Sequence, residues 1–219
     1  MNDMLFLTWV RGTGLNLAIG IFVIGVLWRL IEVYSLGRKP DLSAPRALAG
    51  ASGMHTVFRR TFPAEGMLKK APITYIGGGI FHVGLAIVVF FFAPHIKLFE
   101  SLLGLSWPGL PSQFIDLVTI VTLAALLVVL VDRIKNPIKR YLSTFEDWFT
   151  WALTFLPLLT GWLAVRHLLL PYTTMLALHI LTVELLLVFL PFTKLFHAFT
   201  VFGSRWFNGT VNGHKGVAV

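Results

Sequence analysis

Three histidines stand inside or at the ends of apolar spans: His82, His179 and His197. An ionisable side chain in a membrane-length apolar run is rare outside functional sites, and a neutral imidazole is the commonest metal-binding side chain. His179 and His197 are 18 residues apart in LHILTVELLLVFLPFTKLFHAFT, which is five whole helical turns, so both imidazoles are expected on one face of one helix. A rise of about 27 Å separates them, close to the hydrocarbon thickness of a bilayer. The chain has no cysteine, so a redox centre would be non-covalent and held by His, Met or Lys. The spacing reads as a ladder for haem iron, carrying electrons across a membrane.

His82 lies in GGGIFHVGLAIVVFFF, next to Gly77, Gly78, Gly79 and Gly84. Small residues let a flat ligand approach the backbone, and they equally let two helices pack, with His82 hydrogen-bonded between them. His197 falls at the end of the last span. If the second and last spans are antiparallel, His82 and His197 lie toward the same inner face, where they would be two axial ligands of one haem. His179 then needs a partner at the outer edge. His95 is a candidate, but Pro94 precedes it. Thirteen residues also rotate it about 220° from His82, so the helix would have to break or bend. An interfacial loop histidine is the other reading of His95. His167 and Met175 are weaker alternatives, and His55 and His214 lie outside the spans. Glu184 is the carboxylate deep within a span. It reads either as a proton carrier near a quinone or as a neutral acid hydrogen-bonded within the bundle.

These residues need helices that cross a bilayer. The chain is 56% hydrophobic and 13% charged, with a mean hydropathy of +0.79, far from soluble-domain values. The sequence predicts an all-α integral membrane bundle of five transmembrane helices, at about residues 12–34, 73–94, 114–131, 149–165 and 172–196, within one membrane domain covering 1–219. Fifteen basic residues fall on one side: Arg29, Arg38, Lys39, Arg46, Arg59, Arg60, Lys69, Lys70, Arg133, Lys135, Lys139, Arg140, Lys194, Arg205 and Lys215. Three fall on the other: Arg11, Lys97 and Arg166. The positive-inside rule then places the N-terminus outside and the C-terminus inside. Trp9, Trp107 and Trp162 fit an outer aromatic belt, and Trp28 and Trp148 an inner one. The net charge of +8 points to anionic lipid or an acidic partner and not to nucleic acid, because it is interleaved with apolar spans. No signal peptide is evident at the N-terminus.

The inner loop, residues 36–71, is long for a bare connection and is expected to lie along the inner surface against a partner or against lipid. The tail SRWFNGTVNGHKGVAV is polar and glycine-containing, and is expected to be partly disordered. Asn208-Gly-Thr matches a glycosylation triplet but faces inside by the charge rule.

Two segments carry a family resemblance: Ile80-Phe81-His82-Val83-Gly84, and His179 through Pro191-Phe-Thr-Lys-Leu-Phe-His197. They resemble the F-H-[IV]-G and P-F-[ST]-[KR]-L-x-H motifs of the gamma subunit of respiratory nitrate reductase, a five-helix cytochrome b with an outside N-terminus. The resemblance implies two haem b groups, with His82 and His197 serving the inner one and His179 the outer one. The family's outer ligand on the second helix follows the first histidine by ten residues, where this chain has Phe92, so His95 is the shifted candidate. Lys97 is the nearest counterpart of the family's outer lysine near the quinol. Similar cytochromes serve heterodisulfide-reductase-like iron–sulfur subunits, sulfite-reduction-linked membrane complexes and membrane-bound hydrogenases. The long basic inner loop leans toward that wider group.

The function expected is an electron-transfer subunit of a quinone-linked respiratory oxidoreductase in the inner (cytoplasmic) membrane. It would pass electrons between the quinone pool and a cytoplasmic iron–sulfur or catalytic subunit. The alternative is a haem-free membrane anchor that recruits a soluble enzyme through its basic inner face. A small transporter or proton channel using Glu184 and His179 is a third reading, disfavoured by the lack of repeat symmetry.

Overall fold

The computed structural model describes residues 2–37 and 41–217, all without a strand. Arg38 and Lys39 of the basic inner loop lie outside the described residues. In chain order, α1 (Asn2–Trp9) passes through a π-helical turn (Val10–Gly14) into α2 (Leu15–Ser35). Next come α3 (Ala49–Arg59), α4 (Met67–Lys70), α5 (Pro72–Phe91), α6 (Ala93–Leu103) and α7 (Ser112–Lys135). Then follow α8 (Pro137–Leu142), α9 (Phe145–Val165), α10 (Tyr172–Phe189) and α11 (His197–Lys215). Five stretches are long and apolar enough to cross a membrane: Asp3–Ser35, Pro72–Phe91, Ser112–Lys135, Phe145–Val165 and Tyr172–Phe192. The five expected spans are therefore present as helices, as lipid demands of a backbone that must satisfy its own hydrogen bonds.

Two expectations are corrected. The last span is not one helix from 172 to 196. α10 stops at Phe189, two short 3₁₀ turns follow (Leu190–Phe192 and Lys194–Phe196), and α11 begins at His197. Pro191 has no N–H to continue the ladder, and Thr193 is extended at φ −125°, ψ 177°. The five-turn stripe joining His179 to His197 is therefore broken. Residues 204–215 of the tail, expected to be partly disordered, are helical and belong to α11 (His197–Lys215).

The chain forms two compact units. The first comprises Met1–Leu17 and Ala71–Leu186. Its core gathers Val88, Ile115, Leu123, Leu126 and Leu158, with Phe81, Phe155 and Trp162 packed against them. α5 and α7 lie so close that a side chain at Gly84 would put a Cβ 1.9 Å from Thr122 Oγ1. Polar staples tie the ends. Asp116 accepts from Trp162 Nε1 at 2.9 Å and from Arg166 Nε at 3.0 Å, and the Lys139 ammonium donates to Thr74 at 2.7 Å and pairs with Asp132. α9 begins four residues earlier than its apolar run, because the Thr144 N–H donates to Asp147 Oδ2 at 2.9 Å and caps it.

The second unit comprises Ala18–Lys70 and Leu187–Val219. There α2 meets the residues after α10 at a few points: Phe22 lies 5.9 Å from Phe199, and the Arg29 guanidinium sits 5.6 Å over the Phe196 ring. Within the loop that joins the first two spans, α3 lies antiparallel along α11.

Candidate functional site

The break after α5 builds the most specific polar arrangement in the first unit. Phe92 is extended (φ −79°, ψ 123°), and Pro94 opens α6 within its first turn. The last four carbonyls of a helix have no partner within it. Here the following residues turn back to supply partners. The Phe90 carbonyl accepts from Trp107 Nε1 at 2.6 Å, and the Phe91 carbonyl from the Leu110 N–H at 2.9 Å. The Val88 carbonyl accepts from His95 Nδ1 at 3.0 Å. His95 is thus held by the helix end that it caps.

His95 faces His179. The two ring centres are 6.2 Å apart and the planes are within 19° of parallel. His179 is fixed in the same way as His95: its Nδ1 donates to the Pro157 carbonyl of α9 at 3.0 Å. Pro157 and Gly161 lie one turn apart on α9 and present one face to the imidazole. A Cβ at Gly161 would stand 2.9 Å from His179 Cε1, so only glycine admits the ring this close. Thr160, hydrogen-bonded to Thr182 at 3.0 Å, packs beside it.

A carbonyl can only accept, so in both rings Nδ1 carries the proton and Nε2 is the nitrogen with a lone pair. Ligating histidines are oriented in this way, with the second ring nitrogen tied to a carbonyl or carboxylate. Burial pushes the His95 imidazole below its ordinary pKa, against the opposing pull of the Val88 and Val89 carbonyls. It is therefore neutral, as a ligand must be. Two imidazoles on opposite sides of one metal, each with a nitrogen about 2.0 Å from it, place their ring centres about 6 Å apart. The ring centres of His95 and His179 stand at that spacing. Among the described residues no three His, Asp or Glu side chains converge as a bare metal ion would need.

The other expected site residues are placed as follows. His82 is exposed on α5 in the first unit, with Nδ1 donating to the Gly78 carbonyl at 2.7 Å. His197 opens α11 in the second unit, also exposed, with Nδ1 donating to the Lys194 carbonyl at 2.7 Å. All four candidate ligands thus share one ring orientation device. Lys97 is exposed on α6, two residues from His95. Glu184 is 6% exposed on α10, its Oε1 has no hydrogen-bond partner among the described residues, and Gly14 of the π-helical turn lies against the carboxyl group. The hydrogen-bonding partner that the sequence allowed for Glu184 is missing at that oxygen. Met175 is buried, and the His167 ring lies tilted against Tyr172 with centres 5.0 Å apart. His214 bonds the Ser43 carbonyl at 2.9 Å, away from the spans.

Pro157, Gly161 and Trp107 were not anticipated from the sequence. A proline and a glycine four residues apart inside an apolar run were the available signal.

No protein-family model matches the chain. No solved structure matches it. A protein of Nitratidesulfovibrio vulgaris strain Hildenborough is 34% identical over 184 residues, covering 84% of this chain and 78% of the relative. The chain belongs to the same family as this Nitratidesulfovibrio vulgaris protein.

Proposed function

We propose that this protein is a haem b-binding membrane subunit of a respiratory redox complex, akin to the gamma subunit of nitrate reductase. It exchanges electrons between the quinone pool and a cytoplasmic iron–sulfur or catalytic subunit. The observation that carries the reading is the His95–His179 pair, with parallel rings at bis-imidazole separation and both Nδ1 atoms held by backbone carbonyls.

Haem b supplies a one-electron centre when bound. The residues of the chain do the rest. His95 and His179 would hold the haem iron through Nε2, and the helix end at Val88 and the Pro157–Gly161 face of α9 fix the two rings. His82 and His197 are proposed as ligands on the same grounds of ring orientation. The basic-residue asymmetry favours an outside N-terminus and an inside C-terminus in the cytoplasmic membrane. That orientation puts His95, Lys97 and His179 toward the outer side, where a quinol would deliver its electrons.

The test is reduction by quinol. Proteoliposomes of the purified chain receive a reduced quinone analogue, and the b-type absorbance is followed. Reduction is expected in the native chain and is expected to be lost in His95→Ala. A haem-free anchor would show no b-type absorbance before or after quinol, in either protein.

A further inference from the structure

The inner loop and the tail, read separately from the sequence, form one object. α3 and α11 lie antiparallel across a seam of small residues. Gly209 meets Thr56 and Ser52, Gly213 meets Ser52, and Gly53 lies under the Trp206 indole, each closer than a Cβ would allow. At the ends, the Arg46 N–H donates to the His214 carbonyl at 3.0 Å and Arg205 donates to Thr61 at 3.3 Å. The seam buries Thr56 completely.

With its small residues turned inward, α3 turns large apolar ones outward. Met54 and Phe58 lie one turn apart on α3, Phe62 follows three residues past its end, and Phe58 and Phe62 are 66% and 71% exposed. Phe202, on α11, is 62% exposed. Basic side chains flank these rings. Residues 41–70 and 187–217 contain Arg46, Arg59, Arg60, Lys69, Lys70, Lys194, Arg205 and Lys215, against the two acids Asp41 and Glu65.

We infer that the α3–α11 hairpin lies on the membrane surface, with its aromatic side chains in the headgroup region of anionic lipid. An amphipathic element with exposed aromatics and flanking cations binds such a surface through both apolar burial and charge. The structure also ties the hairpin to the bilayer. Phe199, in the first turn of α11, packs on Phe22 of a spanning helix, so α11 leaves from membrane depth. A protein partner would need acidic groups matched to scattered arginines and lysines, whereas anionic headgroups offer negative charge at every position.

The cysteine-free chain makes the test direct, because one introduced cysteine is the only labelling site. Phe58→Cys, Phe202→Cys and, as a control on another face, Ser204→Cys are each spin-labelled in the full chain. Each is placed in nanodiscs of phosphatidylglycerol mixed with phosphatidylcholine. Labels at 58 and 202 are expected to be relaxed more by oxygen than by a water-soluble nickel chelate, with the order reversed at 204. Replacing phosphatidylglycerol by phosphatidylcholine, or adding molar salt, is expected to shift both toward the chelate. Labels at 58 and 202 that report water in both lipids would overturn the inference. So would shielding that arises only when a soluble protein is added. Neither readout depends on bound haem.

Discussion

His95 and His179 lie ring to ring, 6.2 Å between centres and 19° between planes, although one caps the end of the second span and the other sits within the fifth. Each ring has its Nδ1 committed to a carbonyl, so neither can turn without losing a hydrogen bond. Losing one such bond leaves a buried polar group unsatisfied at a cost of about 1–3 kcal/mol. This is the kind of preorganisation that lets a ligand pair bind without reordering.

The first prediction concerns the pair itself. His95→Ala and His179→Ala should each remove the same haem, and the double variant should lose no more than either single one. Haem quantified per chain by its pyridine haemochrome checks this. Losses that add in the double variant would mean that the two histidines serve different centres.

The second concerns Gly161. Its replacement by Ala puts a methyl 2.9 Å from His179 Cε1, closer than carbon atoms approach without strain. Overpacking of this kind costs about 1–3 kcal/mol. The ring is the softer element, so Gly161→Ala is expected to shift the redox midpoint of the haem held by His179, and Gly161→Leu to abolish binding. Circular dichroism in both variants should stay near native. A potentiometric titration indistinguishable from the native one would count against the contact.

The third concerns the α5–α7 seam. Gly84→Val pushes side-chain atoms into Thr122, a neighbour on an adjacent helix that already donates to the Val118 carbonyl. Thermal unfolding in detergent should move down by an amount corresponding to about 1–3 kcal/mol or more. Gly78→Ala, where nothing lies within 4 Å, should leave it unchanged.

The fourth concerns Glu184. Its Oε1 is buried without a partner, and such an oxygen is most cheaply kept neutral. Glu184→Gln preserves the shape without the ionisable group and should retain native thermal stability, whereas Glu184→Lys should lower it by several degrees. If Glu184 also passes protons during quinol oxidation, Glu184→Gln will slow quinol turnover with the haem spectrum unaltered. Differential scanning fluorimetry and quinol oxidation rates separate the two roles.

The spans were legible because about 20 consecutive apolar residues are a sufficient signal for a membrane helix. The break before His95 was legible as a requirement, since Pro94 and the 220° rotation both demanded it, but where the ring would then point was not. Its direction depends on the unpaired carbonyls of Val88 and Val89, a property of the helix end and not of residue spacing. Pro191 was in plain view, yet the five-turn match of His179 to His197 concealed the end of α10 at Phe189. The α3–α11 pairing was not legible, because its seam is built from Gly53, Gly209, Gly213 and Ser52 and not from apolar side chains. Glycine-containing polar sequence looks the same whether it is disordered or closely packed against a second helix.

Haem content of the purified chain, measured in native protein and in His95→Ala from haem-replete cells, tests the central claim most directly. The account predicts a b-type dithionite-minus-oxidised spectrum with about two haems per chain, falling to about one in His95→Ala. A native chain without a b-type band, or a His95→Ala variant that keeps its full haem content, would contradict it.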